Sequence, residues 1–361
     1  MLPPSLSGEP DLEQEILEIQ PVGEPFKKAV EAFREKSQQM SELAIRFHIG
    51  NRADERKWKV EFGKVYSEAR PLFSKMLLEG AKEYAEDPEN RKDYALWLSQ
   101  TVSREIEGDR FEGLLPVFSV LEEHLGDLPE LRAHYGMTAI SMCDFDAAES
   151  TIEFLSQLDD YKERMTKLQE SLPLLRQRWA DEQAARAKDA AGEPLPTAII
   201  HTTRGDIEIE LLENQAPGAV ANFIYLVDMG VYSNSQFNFG QKHFLVQGGG
   251  DDVMDPPYTI KGEMNRPDAR KFFRGTLGMA LSGSPDSAYS SFFFSLISNP
   301  DLDGQYTAFA RVTKGIEIVS ALTKIDPEDK KKDKDTVPDE ILDIEITYRR
   351  DHPYEPVKAD Q

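Results

Sequence analysis

The sequence predicts a multidomain protein in which an all-α domain is followed by a β-rich domain. Over residues 25–187, apolar side chains recur at spacings of three and four, which is the period of an amphipathic helix. Over residues 197–350 the period falls to two, the pattern of strands with one buried face. A stretch with Gly and Pro at residues 188–196 separates the two patterns and indicates a linker. We therefore expect two separately folded parts.

The two ends of the chain carry weaker patterns. Residues 1–24 are rich in Pro, Gly and acidic side chains without periodicity, which indicates a disordered lead. Residues 351–361 follow the last predicted strand and are expected to form a tail. The first ten residues lack a basic segment followed by an apolar one, so they do not resemble a signal peptide. The compartment stays open, because a soluble cytoplasmic protein and an exported protein with its signal removed fit this sequence equally well.

Composition argues against several classes of function. The 361 residues include 65 acidic and 42 basic ones, a formal net charge of −23, so the averaged field repels nucleic acids. We find no apolar run of about 18 residues that would predict a membrane span. Cys143 is the single cysteine and the histidines are scattered, so we expect no disulfide within the chain, no metal site and no cofactor.

Two helical segments repeat at an offset of 34 residues. Phe111 aligns with Phe145, and Phe118 aligns with Ile152. This is the period of tetratricopeptide repeats, in which pairs of antiparallel helices stack and bury a shared face. The proline that often closes such a unit is absent from both copies, so a generic stack of helical hairpins stays open as the alternative. Either architecture offers a concave face, which we expect to bind a peptide or protein partner.

The β-rich part opens with a hairpin. Residues 207–211 alternate between apolar and polar side chains, residues 198–202 begin with three apolar ones, and a turn at Arg204-Gly205-Asp206 separates the two segments. Pro217 then lies near the first turn of a predicted helix, where a missing N–H costs nothing. The last strand is predicted over residues 341–348.

A longer segment carries a resemblance to a known family. Residues 237–251 read Phe-Asn-Phe-Gly-Gln-Lys-His-Phe-Leu-Val-Gln-Gly-Gly-Gly-Asp, which resembles the cyclophilin strand Phe-His-Arg-Val-Ile-Pro-Gly-Phe-Met-Ile-Gln-Gly-Gly-Asp. Residues 275–280, 285–294 and 302–312 resemble three further cyclophilin segments, in family order. The resemblance covers roughly residues 197–349. It implies a closed β-barrel of about eight strands with two capping helices. It also implies a peptidyl-prolyl cis-trans isomerase that acts on proline-containing peptides or client proteins.

The resemblance further implies which residues form the site. When the alignment is counted back from Gln-Gly-Gly, Phe239 stands at the position of the family's catalytic arginine. The resemblance therefore predicts no catalytic residue in this chain. A slip of the register is the alternative explanation, but it would turn Phe239 to the opposite face. Ser291 stands where the family has a glutamine that contacts the peptide backbone, and Tyr306 stands where it has a histidine. The predicted substrate-binding residues are Phe244, Leu245, Gln247, Met279, Ala280, Ser291, Phe293, Leu302 and Tyr306.

Each of these residues also has a structural explanation. The apolar ones are candidates for the barrel core, and Gln247 is a candidate for a structural hydrogen bond. The catalytic question depends on Phe239, because isomerisation must weaken an amide resonance whose rotational barrier is about 18–20 kcal/mol. A guanidinium beside the prolyl nitrogen does so by hydrogen-bonding the lone pair that twisting releases. Phe239 cannot donate that bond. Two hypotheses stay open, an isomerase with weak or lost catalysis and a non-catalytic scaffold whose helical domain binds partners.

Overall fold

The structure is a computed structural model that describes residues 19–49, 54–250, 257–326 and 336–359. The chain divides into two compact units, Met1–Gln177 and Arg178–Gln361. The predicted order, a helical part followed by a β-rich part, is confirmed. Within the described ranges, no helix combines the length and the apolar composition that crossing a bilayer requires.

The first unit is built from helices. Those in its described residues are α1 (Glu24–Ile49), α2 (Glu55–Glu86), α3 (Lys92–Glu107), α4 (Leu114–Leu125), α5 (Pro129–Ser141), α6 (Phe145–Leu155) and the first part of α7 (Asp159–Ala191). Of the lead expected over residues 1–24, residues 1–18 lie outside the described residues. Its described part is held to α2, because the Glu83 carboxylate accepts hydrogen bonds from the backbone N–H groups of Val22 and Gly23 at 2.8 and 2.7 Å.

The turns that follow α3 and α5 are built alike at the predicted offset. Asp109 and Cys143 occupy the same place in the two turns, with left-handed φ values of 59° and 60°. In each turn the next N–H donates to a carbonyl five residues back, that of Glu105 at 2.9 Å and that of Ala139 at 2.8 Å. The phenylalanine that follows is buried in both copies. The 34-residue repeat is therefore confirmed at the two turns, consistent with the tetratricopeptide-like arrangement. The helix pairs around the turns differ, because α5 packs along α6 whereas α3 and α4 make little contact with each other.

The second unit contains a curled antiparallel sheet. Its strands are β1 (Thr197–Thr202), β2 (Gly205–Leu211), β3 (Ser235–Gln236), β4 (Phe239–Gln241), β5 (Leu245–Gly249), β6 (Thr276–Met279), β7 (Ser291–Ser295), β8 (Ala308–Lys314) and β9 (Glu340–Tyr348). Their order is β3-β9-β1-β2-β8-β6-β7-β5-β4. The expected helices are present as α8 (Pro217–Asp228) and α9 (Ile316–Ala321), and a short 3₁₀ helix spans Pro300–Leu302.

The two edges of the sheet are consecutive in the chain. Strands β3 and β4 stand at opposite ends of the strand order, yet only Phe237 and Asn238 separate them. Such a connection spans roughly 11 Å at most, so it brings the edges together and the sheet curls on itself. The strands number nine within the described residues, where about eight were expected, because this edge segment pairs with two different neighbours.

Alternation along β7 separates the core from the candidate site. Phe292 and Phe294 are fully buried. The Phe292 ring packs on those of Phe223 and Phe309 with centroids 5.9 and 6.4 Å apart, and the Phe294 ring packs on that of Phe237 at 6.3 Å. Phe293 lies between them in sequence and therefore on the other face of the strand. The sheet thus has an aromatic core on one face and presents Phe293 on the other.

Residues on both sides of the predicted β-rich domain belong to the second unit. Helix α7 continues to Ala191, and its residues from Arg178 onward belong to this unit, so the helix overlaps the linker expected over residues 188–196. The tail expected over residues 351–361 also makes contacts in its described part. Tyr354 is buried, and the Ala359 N–H donates to the Thr259 carbonyl at 2.7 Å.

Candidate functional site

Five neighbouring strands place one row of residues across the sheet. Phe239 on β4 pairs with Gln247 on β5, and Gln247 pairs with Phe293 on β7. Phe293 pairs with Gly278 on β6, which in turn pairs with Ala308 on β8. Residues paired across strands share a face of the sheet. Phe239, at the position that the resemblance aligns with the family's arginine, therefore lies in the same row as Phe293, one of the predicted substrate-binding residues.

An apolar cluster surrounds this row. Its buried members are Leu245, Phe272, Phe293, Leu302 and Ala308, and its partly buried members are Phe239, Phe244, Ala280 and Tyr306. Phe272 stacks on Phe293 with ring centroids 5.6 Å apart, and Tyr306 meets Phe293 edge to face at 5.2 Å. Among the cluster members just named, only Tyr306 has a polar side-chain atom, its hydroxyl oxygen. The arrangement is thus a concentrated apolar and aromatic cluster, of which solvent reaches mainly the partly buried members.

Gly278 makes the stacking of the rings possible. A Cβ atom at this position would lie 2.4 Å from Cζ of Phe293 and 2.7 Å from Cε1 of Phe272. Those distances are far below ordinary carbon contacts of about 3.5–4.0 Å. The absence of a side chain therefore allows both rings to lie against β6.

The structure distributes the predicted residues unevenly. It brings Phe239, Phe244, Leu245, Ala280, Phe293, Leu302 and Tyr306 into the cluster and places Gln247 in the row. Ser291 lies two residues before Phe293 on the same face of β7, and its hydroxyl donates to the Gly250 carbonyl at 3.4 Å. Met279 lies elsewhere, since it is fully buried and pairs with the core residue Phe292.

Sequence reasoning missed two members of the cluster, Phe272 and Ala308. Phe272 lies outside the strands, in a segment where no periodicity indicates a face. Ala308 begins β8, and only its pairing with Gly278 shows that it shares the face of Phe293. A rule on cross-strand pairs could have found Ala308 once the register was known.

A buried carboxylate supports the loops that carry two cluster residues. Asp303 accepts a hydrogen bond from the Phe272 backbone N–H at 2.9 Å, and its other oxygen lies 3.0 Å from Nη1 of Arg178. Burial raises the pKa of the Asp303 carboxyl, while the Phe272 N–H and the Arg178 charge act in the opposite direction. The carboxylate is thus a partnered charge behind the apolar surface. Among the described residues, no group of three or more His, Cys, Asp or Glu is arranged to hold a metal ion.

Comparisons with known proteins identify the family of the second unit. Residues 197–346 match the family described as cyclophilin type peptidyl-prolyl cis-trans isomerase/CLD. A peptidyl-prolyl cis-trans isomerase of Helicobacter pylori (strain J99) is 37% identical over 131 residues, which cover 36% of this chain and 79% of the relative. The chain therefore belongs to the cyclophilin family, and its isomerase-type domain lies at residues 197–346.

Other relatives differ from this chain in length. Peptidyl-prolyl cis-trans isomerase A of Dickeya dadantii is 33% identical over 141 residues, with 36% of this chain and 72% of the relative covered. Peptidyl-prolyl cis-trans isomerase 9 of Schizosaccharomyces pombe is 36% identical over 159 residues, and the match covers 42% of this chain but only 25% of that protein. A solved cyclophilin type peptidyl-prolyl cis-trans isomerase of Cryptosporidium parvum is 28% identical, with a TM-score of 0.37. The match covers 43% of this chain and 99% of that structure.

Proposed function

We propose that the second unit binds X-Pro segments of client proteins at the apolar cluster and isomerises them only slowly. The observation that carries this proposal is the place of Phe239, in one row with Gln247 and Phe293 and packed on the cluster. Binding and catalysis make different demands on such a surface, so the two parts of the proposal have separate physical arguments.

Binding is supported by the aromatic floor. A proline ring offers three CH₂ groups, and each contributes roughly 0.8 kcal/mol when it leaves water, or about 2 kcal/mol together. Phe293, stacked on Phe272 and met edge to face by Tyr306, gives the cluster a rigid base, and the partly buried rings of Phe239, Phe244 and Tyr306 are its accessible members. The remaining affinity would come from hydrogen bonds to the peptide backbone, for which Gln247 in the row is the candidate partner.

Catalysis lacks its main support. The twisted amide differs from the planar one in the lone pair on the prolyl nitrogen, and a donor aimed at that atom acts in the transition state alone. A phenylalanine side chain has no donor. Loss of one such hydrogen bond costs roughly 2.7–4 kcal/mol in comparable sites, which is about a hundred- to a thousandfold in rate. A surface that binds proline well can therefore turn it over poorly.

The test restores the donor in the full chain. Wild type, Phe239→Arg and Phe239→Arg/Ser291→Gln are compared by NMR exchange spectroscopy on a short X-Pro peptide, with the peptide dissociation constant measured in the same samples. We expect the double variant to raise the exchange rate roughly ten- to a thousandfold over wild type, with the upper figure the full worth of the bond.

Two matched variants at the same position show whether the donor is responsible. Phe239→Leu keeps the position apolar and should behave as wild type, whereas Phe239→Lys supplies a charge without the planar fork of arginine and should gain less than Phe239→Arg. Wild-type turnover as fast as that of an arginine-containing cyclophilin would contradict the catalytic part. Failure of wild type to bind the peptide would contradict the binding part.

A second candidate is a non-catalytic scaffold in which the helical domain binds a partner and the second unit binds proline segments without turning them over. It is favoured by the same residue, Phe239, and by the two similar turns between helices of the first unit. Peptide binding by wild type with no measurable increase in exchange would select it.

A further inference from the structure

The end of helix α7 contacts the loops that carry two residues of the apolar cluster. We refer to residues 178–191 as the helix end; they belong to the second unit. One loop contains Phe272, and the other contains Leu302. Neither residue lies in a strand, so the ladder of the sheet does not fix either one.

Arg178 contacts the loop that carries Leu302. Its Nη1 lies 3.0 Å from an oxygen of Asp303 and 3.5 Å from the Pro300 carbonyl oxygen. Leu302 lies between these two residues in sequence. The guanidinium therefore bridges both sides of the loop from which this cluster residue projects.

Asp303 extends the contact to the other loop. Its second carboxylate oxygen accepts the Phe272 N–H at 2.9 Å, and the Phe272 carbonyl accepts the Asn299 N–H at 2.9 Å. Hydrogen bonds to the N–H and to the carbonyl of Phe272 thus join the two loops. A change at Arg178 can reach the Phe272 ring through a single carboxylate.

The helix end also contacts residues on both sides of Phe272 in the sequence, Arg270 and Phe273. Arg270 is buried and forms hydrogen bonds with Glu182 at 2.7 Å and with Asp189 at 2.6 Å. On the other side of Phe272, Phe273 meets Trp179 edge to face with ring centroids 4.9 Å apart. Contacts from one helix therefore precede and follow this cluster residue.

Stability alone is a poor explanation for these charges. The side chain of Asp303 is 4% exposed and that of Arg178 is 22% exposed, so their pair gives up much of its hydration. Buried ion pairs often contribute no more to stability than apolar residues of the same shape. What the pair supplies is direction, because a carboxylate held from one side presents its other oxygen at a fixed place.

We propose that the helix end is the positioning element of the proline site and that Arg178 is a positioning residue acting through Asp303. The proposal deepens the proposed function, because what is positioned is the floor on which the proline ring would rest. Phe272 stacks on Phe293, and Leu302 belongs to the same cluster, so loss of the Arg178 contact displaces the floor without removing any part of it.

The test uses the full chain and a short X-Pro peptide. Arg178→Gln should weaken peptide binding by about three- to thirtyfold. Asp303→Asn keeps an oxygen for the Phe272 N–H but loses the charge, and it should give a loss of similar size. The double variant should be no worse than the more severe single one, because both changes break the same connection. Arg178→Lys restores the charge opposite Asp303 and should recover most of the affinity.

The matched control is Arg349→Gln. Arg349 pairs with Asp228 through two contacts of 2.8 Å, so this variant also removes an arginine from an aspartate of the same unit. It should leave peptide binding unchanged. Aromatic NMR resonances of Tyr306, measured without peptide and well below the melting temperature, should shift in Arg178→Gln and stay in place in Arg349→Gln.

Three outcomes would overturn the positioning role. The first is a loss in Arg178→Gln no larger than in Arg349→Gln, with the Tyr306 resonances unmoved. The second is full additivity of Arg178→Gln and Asp303→Asn, which would remove Asp303 as the intermediary. The third applies if Arg178→Gln does not fold: the Asp303→Asn variant then binds the peptide as wild type does and leaves the Tyr306 resonances in place. If wild type binds no peptide, the proposed function fails, and the Tyr306 resonances alone decide whether Arg178 positions the cluster.

Discussion

A single methyl group added at Gly278 should disturb the aromatic floor of the proposed proline site. Gly278 lies in the row between Phe293 and Ala308, and its backbone is not in the left-handed region that favours glycine. Alanine is therefore compatible with the backbone. The new Cβ atom would nevertheless lie 2.4 Å from Phe293 and 2.7 Å from Phe272.

The size of the effect follows from those distances. Carbon contacts are optimal near 3.5–4.0 Å, so the Phe293 ring has to retreat by about 1 Å. Overpacking of this kind costs about 1–3 kcal/mol, which lowers the melting temperature of a domain of this size by roughly 2–12 °C. If the shifted ring no longer contacts the proline, up to about 2 kcal/mol of burial is lost, or roughly thirtyfold in affinity.

The assay compares thermal melting and peptide titration of Gly278→Ala with those of wild type and Gly192→Ala. Gly192 is a suitable control, because its new Cβ atom would come no closer than 3.4 Å to its neighbours. We expect the control to change neither quantity. A Gly278→Ala protein that binds the peptide as tightly as wild type would refute the assignment of Phe293 as the floor, whatever its melting temperature.

Two pH dependences are expected outside the site. Burial alone would raise the pKa of Glu182, yet the hydrogen bonds and charges of Arg270 and Arg186 hold it below its ordinary 4.5. Glu182 therefore contributes stability above pH 4.5 that is lost as the pH falls through the lowered pKa. In thermal melts, Glu182→Gln should be less stable at pH 7 by about 1.5–3 kcal/mol and lose less between pH 5 and 3; an identical acid loss would contradict this. The Pro353 carbonyl, aided by Glu213, raises the pKa of His352 above 6.5. Its contribution is complete below pH 6.5 and is lost as the pH rises through the raised pKa, so His352→Gln should flatten the melting profile there, and an unchanged profile would contradict it.

The sequence predicted most members of the apolar cluster because the resemblance supplied a register. In the run Phe292-Phe293-Phe294, three identical apolar residues give no indication of which one leaves the core. Alignment with the family singled out Phe293, and strand pairing places it opposite Gln247. Met279 shows where such reasoning ends. Every residue of β6 is buried, so polarity does not distinguish its two faces, and the pairing with Phe292 was needed to place Met279 in the core.

The helix end could not be predicted for a different physical reason. Apolar periodicity fades near residue 181, and the charged residues that follow resemble a solvated linker. The structure holds them through Arg270, which is 88 residues from Glu182 and 81 from Asp189 in sequence. A local pattern cannot reveal an ion pair across such a separation, because either member alone resembles an exposed charge. That the two parts fold separately, with a boundary at residues 188–196, stays a prediction.

The composition of the cluster also limits what any isomerase activity can depend on. A flat aromatic floor contacts the proline ring in the planar and the twisted amide alike, and interactions equal in both states lower KM without raising kcat. Changes to the floor, such as Gly278→Ala, should therefore act mainly on peptide affinity. Changes at Phe239 that add a donor should act mainly on the rate, since the prolyl lone pair becomes available only on twisting. The two kinds of variant thus separate the roles of two residues that lie only three strands apart, Phe239 on β4 and Gly278 on β6.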